Sequence, residues 1–449
     1  MGRENIDKWS LFHFVLKNLW AKPVHSLYYN KIKLRNASVI KTKESVIIAP
    51  NHQNALMDPL AVVIKLPFQT AFLARADVFR KGFIENLLTK MKIMPVYRIR
   101  DGISSLNKNE EIFEYSAKIL ENKRIPLCLF PEGNHGKDRR LRPLVKGIFR
   151  IAFKAQAKFG NKPGVKIVPT GIDYTHYQKF QQDLFINVGT PIEVADYWDM
   201  YVENEALATN ALRDKLAEEM SKVMIDIQSE EYYDTIMGLR YFYRPVMYKK
   251  LGVKKDSLAK RFDTDKMLID KLNKAIEEKP EAMEGIKKEY VKYARLRDKL
   301  NLRDWVLRKE KYSIIGNLLL ILTLVPTLPF WLYGYLANWP HYIFPPKFAK
   351  KVKDPQFVST AKWGVGMVIQ AIYYLIILML GLIFLPAWWM ALVLLVSLPF
   401  AGKLAYRIRV WFVKIKAKLR YSSRLKNNAE LLQLKEIRNS LIEMLETIV

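Results

Sequence analysis

Residues 46–64 read VIIAPNHQNALMDPLAVVI. An apolar run suited to a buried strand ends at Pro50. A second apolar run follows Asp58-Pro59, an aspartate N-cap and a proline at the first helical position. The stretch therefore predicts a strand, a tight loop and a helix start. His52 and Asp58 stand six positions apart in it. On a continuous helix that spacing turns two side chains well apart. They can meet only with His52 in the loop and Asp58 at the helix start. A neutral imidazole can take a proton from an alcohol near neutral pH. A carboxylate on its other nitrogen fixes the tautomer and stabilises the imidazolium that forms. The same residues also read as a plain cap and a loop histidine, and the pair alone does not separate the two.

Outward from this turn the rhythm repeats. Apolar, β-rich runs occur at SVIIAP, TAFLARA, IMPVYRI, IPLCLFPEG, VKIVPTGIDY and DLFINVG, with amphipathic helical stretches between them at 105–123 and 146–159. Such alternation predicts an α/β domain over 31–200 with a central mixed sheet, whose function gathers in the loops at strand ends. Residues 8–30 mix aromatics and leucines with lysine and histidine. That pattern allows either an amphipathic helix in a membrane interface or one packed on the domain. Residues 201–311 are charge-rich and helix-forming, a helical insert or linker domain; 425–449 has apolar spacing of three and four and is expected to pack back on it, a partner chain being the alternative target.

The 449-residue chain carries a net charge of +29 with 50% hydrophobic residues. It should seek an anionic partner: nucleic acid, a phospholipid surface or a phosphorylated substrate. One cysteine, Cys128 in the apolar run IPLCLF, excludes an intrachain disulfide and reads as core. The amino terminus lacks the long apolar core of a cleaved signal peptide. Residues 363–402 hold no charge over 40 positions, enough for two transmembrane helices turning at LPAWW. The flanking 347–362 holds five lysines against Asp354, and 403–420 holds seven basic residues and no acid. Positive-inside bias places both, and with them the α/β domain, on the cytoplasmic side. Residues 312–346 are also uncharged and carry Pro326 and Pro329. With basic flanks at both ends they are expected to re-enter at PTLP, a plain span being the alternative.

The six histidines show no zinc-ligand spacing, and neither a GxxxxGK[ST] loop nor a GxSxG elbow occurs. No metal and no cofactor are expected. Basic residues do collect past strands. CLFPEGNHGKDRRLRPLVKG (128–147) turns at Pro131-Glu132-Gly133 and then delivers Lys137, Arg139, Arg140, Arg142 and Lys146, while MPVYRIR adds Arg98 and Arg100. Clustered guanidinium groups suit a phosphate monoester.

NHQNALMD, MPVYRIR, FPEGNH and IVPTGIDY follow one another in the order and rough spacing of the four motifs of the glycerolipid acyltransferases, which this chain resembles over about residues 10–200. The resemblance implies His52 as general base on the acceptor hydroxyl and Asp58 as its orienting carboxylate. It implies Arg98 or Arg100, with Lys146, as contacts to the acceptor phosphate. Asn54, Glu132 and Gly133 would shape the acceptor pocket, and Pro169 would border the acyl-donor side. Two departures stand out. Five residues separate His52 and Asp58 where four are commoner, and Asn54 replaces a usual serine. The wider spacing is similar to the fungal glycerol-3-phosphate/dihydroxyacetone-phosphate acyltransferases. His135 stands where many members have arginine, so Arg139 or Arg142 would take over the phosphate contact.

The implied reaction is direct transfer from acyl-CoA or acyl-carrier protein to 1-acylglycerol-3-phosphate, or to glycerol-3-phosphate, at a phospholipid membrane. A non-catalytic basic protein of the membrane surface is the alternative from another class. The aromatics cluster near apolar spans instead of alternating with basic residues, which argues against nucleic acid.

Overall fold

The computed structural model describes residues 5–79, 82–97, 103–254, 257–310, 312–424 and 428–449. The chain forms two compact units: Met1–Asp226 with Ser257–Phe262 and Val352–Thr360, and Ile227–Asp256 with Asp263–Lys351 and Ala361–Val449.

The first unit is built on eight strands: β1 (Ile32–Arg35), β2 (Ser45–Pro50), β3 (Ala71–Arg75), β4 (Ile93–Val96), β5 (Leu127–Cys128), β6 (Val165–Tyr174), β7 (Leu184–Val188) and β8 (Ile192–Glu193). Their order is β1-β7-β6-β2-β5-β3-β4, with β8 also paired to β6. Every pairing is parallel except those of β6 with β7 and with β8, so the sheet is mixed, as the alternating pattern predicts. Its centre is β2, all six residues of which are buried. A strand covered on both faces needs such a continuous apolar run. β1 and β8 were not foreseen: IKLR alternates apolar and charged residues at a sheet edge, and β8 has only two residues.

Helices Ile103–Asn122 and Gly147–Gln156 contribute Leu120, Phe149, Ile151 and Phe153 to the core. Burying each such side chain stabilises the fold by about 1.5–3 kcal/mol. Helix Glu205–Val223 adds Leu212, Leu216 and Met220 to that core, so the unit runs to Asp226 and not only to residue 200.

The amino-terminal helical stretch Leu11–Tyr28 includes a π-helical turn at Leu16–Ala21 and is polar inward. His13, Lys17 and His25 are buried while Trp9, Leu11, Phe14 and Leu19 are exposed. Lys17 explains the inversion: its Nζ donates to the carbonyls of Leu66 at 2.6 Å and Phe68 at 2.7 Å, where the helix Met57–Lys65 has ended. Burial lowers that ammonium to about 8.

The second unit is helical. Asp265, fully buried, accepts from Arg240 Nε at 2.5 Å and from Arg244 Nε and Nη2 at 2.6 Å each. The tail helix Ala429–Glu446 lies on Pro280–Lys299, burying Leu431, Leu434, Leu441 and Leu445.

Among the described residues three helical runs are long and apolar enough to cross a membrane: Ile315–Leu336, Pro355–Phe384 and Trp388–Arg424. At PTLP, where the sequence predicts a return, the backbone keeps right-handed helical dihedrals through Pro326 and Pro329. Each proline lies in the first turn of its helical segment, where the missing N–H costs no hydrogen bond. The break falls at Asn338 instead. Asn338 is buried; its Nδ2 donates to the carbonyls of Gly334 at 3.1 Å and Leu398 at 2.9 Å, and its Oδ1 accepts from the Tyr374 hydroxyl at 3.1 Å. Polar side chains of this kind join apolar helices where no water can serve their backbones.

Candidate active site

Strand register builds the site. Ile48 of β2 lies beside Cys128 of β5 in a parallel pair, so both strands open their carboxyl ends on one edge. Four residues further along each chain come His52 and Glu132. The His52 backbone N–H donates to Glu132 Oε1 at 2.8 Å, locking the two loops together. β6 runs parallel to β2 and continues to Tyr174 at the same edge. Ligands of open α/β sheets bind in this position.

His52 Nδ1 lies 2.8 Å from Asp58 Oδ2. That oxygen also accepts the backbone N–H groups of Gln53 and Asn54, each at 2.7 Å, while Oδ1 accepts the Tyr174 hydroxyl at 2.7 Å. Asp58 is fully buried. An ionised carboxylate only accepts, so in this pair Nδ1 is the donor and Nε2 is the ring nitrogen that Asp58 does not engage. The sequence placed Asp58 as the N-cap; the cap is Leu56, and Asp58 is the second helical residue. Its carboxylate reaches back to the loop because Ala55 takes a left-handed backbone at φ +37°, which returns the chain over Gln53 and Asn54. The His52 ring stacks on Phe130 at 4.2 Å between centroids and meets His135 edge to face at 5.4 Å.

Glu132 accepts on its other oxygen from Arg142 Nε at 2.8 Å. Burial raises its carboxyl above the usual range, opposed by Arg142 and by the His52 amide. Arg142 Nη2 also donates to the Asn134 carbonyl. Arg142 Nη1 makes no hydrogen bond among the described residues. Gly133 has φ +66°, and a Cβ there would lie 2.9 Å from Val145 Cγ1. Gly136 lies under Arg142; a Cβ there would meet Nε at 2.8 Å.

The remaining sequence-predicted positions separate. Asn54 is buried and donates to the Tyr177 carbonyl at 3.2 Å. Lys137 and Lys146 are exposed, Lys146 at the start of helix Gly147–Gln156. Arg139 corrects the expectation of a phosphate contact: its side chain is 5% exposed and paired with Asp173 and the Tyr174 carbonyl inside the domain. Pro169 is buried in β6 opposite Ala49, and its carbonyl accepts from Gly189 N–H at 2.8 Å. Arg98 and Arg100 lie outside the described residues. Cys128 is buried, and burial pushes its thiol well up, so it is no nucleophile.

Four groups at the site escaped sequence reading. Tyr174 was inside a quoted motif, but only the fold aims its hydroxyl at Asp58. Phe130 opens the quoted FPEG motif, but only the fold stacks its ring on His52. Arg75, at the end of β3, is near enough to act on His135 and is paired with Asp77. Burial, His52 and, more weakly, Arg75 hold the His135 imidazole below the ordinary histidine range against the pull of Asp354, the fourth. Among the described residues no three His, Cys, Asp or Glu side chains gather as a metal site.

Residues 31–173 match the model of the Acyltransferase family, and the chain carries a domain of that family. It is similar to the chloroplastic 1-acyl-sn-glycerol-3-phosphate acyltransferase BAT2 of Brassica napus, 26% identical over 217 residues, covering 47% of this chain and 57% of the relative. It is also similar to glycerol-3-phosphate O-acyltransferase 2 of Saccharomyces cerevisiae, 25% identical over 193 residues, 42% of this chain and 23% of the relative. The chain thus spans from under a quarter to somewhat over half of the length of these relatives. Among solved structures, the 1-acyl-sn-glycerophosphate (LPA) acyltransferase PlsC of Thermotoga maritima aligns with a TM-score of 0.32 at 16% identity, covering 49% of this chain and 79% of that one.

Proposed function

We propose that this protein is a membrane-bound O-acyltransferase that moves a fatty acyl group from acyl-CoA or acyl-carrier protein to the hydroxyl of 1-acylglycerol-3-phosphate, giving phosphatidic acid. The observation that carries the reading is His52 bonded through Nδ1 to a buried, fully hydrogen-bonded Asp58, beside an arginine with donors to spare. His52 Nε2 takes the acceptor's hydroxyl proton as its oxygen attacks the thioester carbonyl. The tetrahedral intermediate collapses, the carbon–sulfur bond breaks, and the proton on Nε2 passes to the departing thiolate. Asp58 holds the ring and balances the imidazolium charge between these steps. Arg142 Nη1 meets the acceptor phosphate, with Lys146, Arg98 and Arg100 as further contacts. Asn54, Glu132 and Gly133 shape the acceptor pocket.

Glycerol-3-phosphate is the second reading of the acceptor. The yeast relative and the five residues between His52 and Asp58 favour it. The three apolar helices support a membrane protein, and the lysine- and arginine-rich flanks support a cytoplasmic catalytic face.

The test is the purified full-length protein with one acyl-CoA and each acceptor side by side. The expected result is a kcat/KM at least tenfold higher for 1-acylglycerol-3-phosphate. The reverse ranking moves the assignment to glycerol-3-phosphate. Transfer to neither, with binding to anionic vesicles retained, replaces the enzyme by a basic membrane-surface protein.

A further inference from the structure

Residues Val352–Thr360 come from far beyond the matched 31–173, yet they belong to the same compact unit as the sheet. Asp354 Oδ2 lies 3.4 Å from His135 Nε2, and the Phe357 ring meets the His135 ring edge to face at 4.9 Å between centroids. His135 in turn stands edge to face with His52. The segment is also tied to the His52 turn from a second direction. Ser359 Oγ donates to the Tyr177 carbonyl, the oxygen that also accepts from Asn54 Nδ2. Gln178 Nε2 donates to the Pro355 carbonyl at 3.2 Å. Locally the shape follows from KDPQF: Asp354 Oδ1 caps the turn Pro355–Phe357 by accepting from Gln356 N–H at 3.0 Å, and helix Val358–Phe384 follows at once.

We propose that Val352–Thr360 is a working part of the catalytic site, with Asp354 and Phe357 as positioning residues that set His135 against His52 where the acceptor hydroxyl must lie. The inference rests on the reading of His52 as general base. His135 has two covered sides, Asp354 at Nε2 and Phe357 across its ring, so its side chain is only 8% exposed although it lies on a loop. Without them the imidazole is free to swing, and the wall it forms beside His52 is lost. Small displacements of such a wall matter because transfer needs acceptor oxygen and base within hydrogen-bond reach. Asp354 and Phe357 are themselves 45% exposed at the side chain and 40% exposed respectively, so neither is a core residue whose loss would unfold the domain.

The experiment uses the full-length protein in detergent, with kcat and KM measured separately for acceptor and acyl-CoA. Asp354→Asn keeps an oxygen to cap Gln356 but removes the charge that faces His135. It is expected to lower kcat/KM for the acceptor about tenfold, with the acyl-CoA KM within twofold and the thermal midpoint unchanged. Phe357→Ala should do the same. In a His135→Ala background, Asp354→Asn should add less than a further twofold loss, because it acts through that ring. Parent-like kinetics for both single variants, or a full tenfold loss from Asp354→Asn without His135, overturns the proposal. His52→Ala is run beside them. If it alone is inactive, the general-base reading stands while the segment's role falls. If it retains parent activity, that reading fails first and the segment's role falls with it.

Discussion

Among the described residues two carboxylates, Asp58 and Asp265, are fully buried, and they are paired in opposite ways. Asp265, in the helical unit, is gripped by two guanidinium groups, Arg240 and Arg244, that stay charged at any working pH. Asp58, in the sheet unit, is met by two backbone N–H groups, a phenol and one imidazole. The first arrangement is closed: each charge answers a permanent partner and no proton can move. The second includes one partner, His52, that on the proposed reading takes the acceptor's proton on the far side of its ring. A buried acid becomes chemical machinery when its partner can titrate and still face a ligand.

Removing either carboxylate should separate the two roles. Asp265→Asn removes the anion shared by a buried guanidinium, Arg240, and a partly exposed one, Arg244, and should destabilise the protein by about 3–5 kcal/mol, read as a fall in thermal midpoint or denaturant midpoint. Its folded fraction should transfer acyl groups at the parent rate. A parent-like midpoint would mean that the cluster contributes no net stability. Asp58→Asn should lower kcat by about 10²- to 10³-fold, close to 3–4 kcal/mol of transition-state stabilisation. An amide there can still accept from Gln53 and Asn54 through its oxygen and face the Tyr174 hydroxyl through its NH₂, so the turn should survive. Equal losses of stability in the two variants, with kcat per folded molecule unchanged in both, would erase the distinction.

A smaller effect comes from the amino-terminal stretch. Burial lowers His25 to about 3 and His13 to about 4, each from 6.5. Below pH 6.5 the unfolded chain protonates these rings while the folded one does not. Their contribution is therefore fully present above that pH and is lost as pH falls toward 4, by at most about 1.4 kcal/mol per unit for each ring. His25→Phe should flatten the fall of thermal midpoint between pH 6.5 and 4. A slope equal to the parent's would show that His25 does not carry it.

What could be seen in the sequence was local. The six predicted strands are present, because alternating apolar runs and helices depend on residues near one another in the chain. The His52–Asp58 turn was legible for the same reason, although the cap fell on Leu56. Contacts that depend on distant segments were hidden. A charge run cannot say which arginine turns inward, and Arg139 found Asp173, 34 positions away, while Arg142 stayed at the site. Tyr174 reaches Asp58 only because β6 lies next to β2. Asp354 arrives from 219 positions beyond His135. The inward-facing polar side of Leu11–Tyr28 depends on carbonyls at Leu66 and Phe68 that no local pattern announces.

The most direct test of the central claim is the rate of acyl transfer by purified His52→Ala protein. With the thermal midpoint unchanged, kcat should fall at least 10²-fold, as removal of a general base requires. Transfer within twofold of the parent would contradict it.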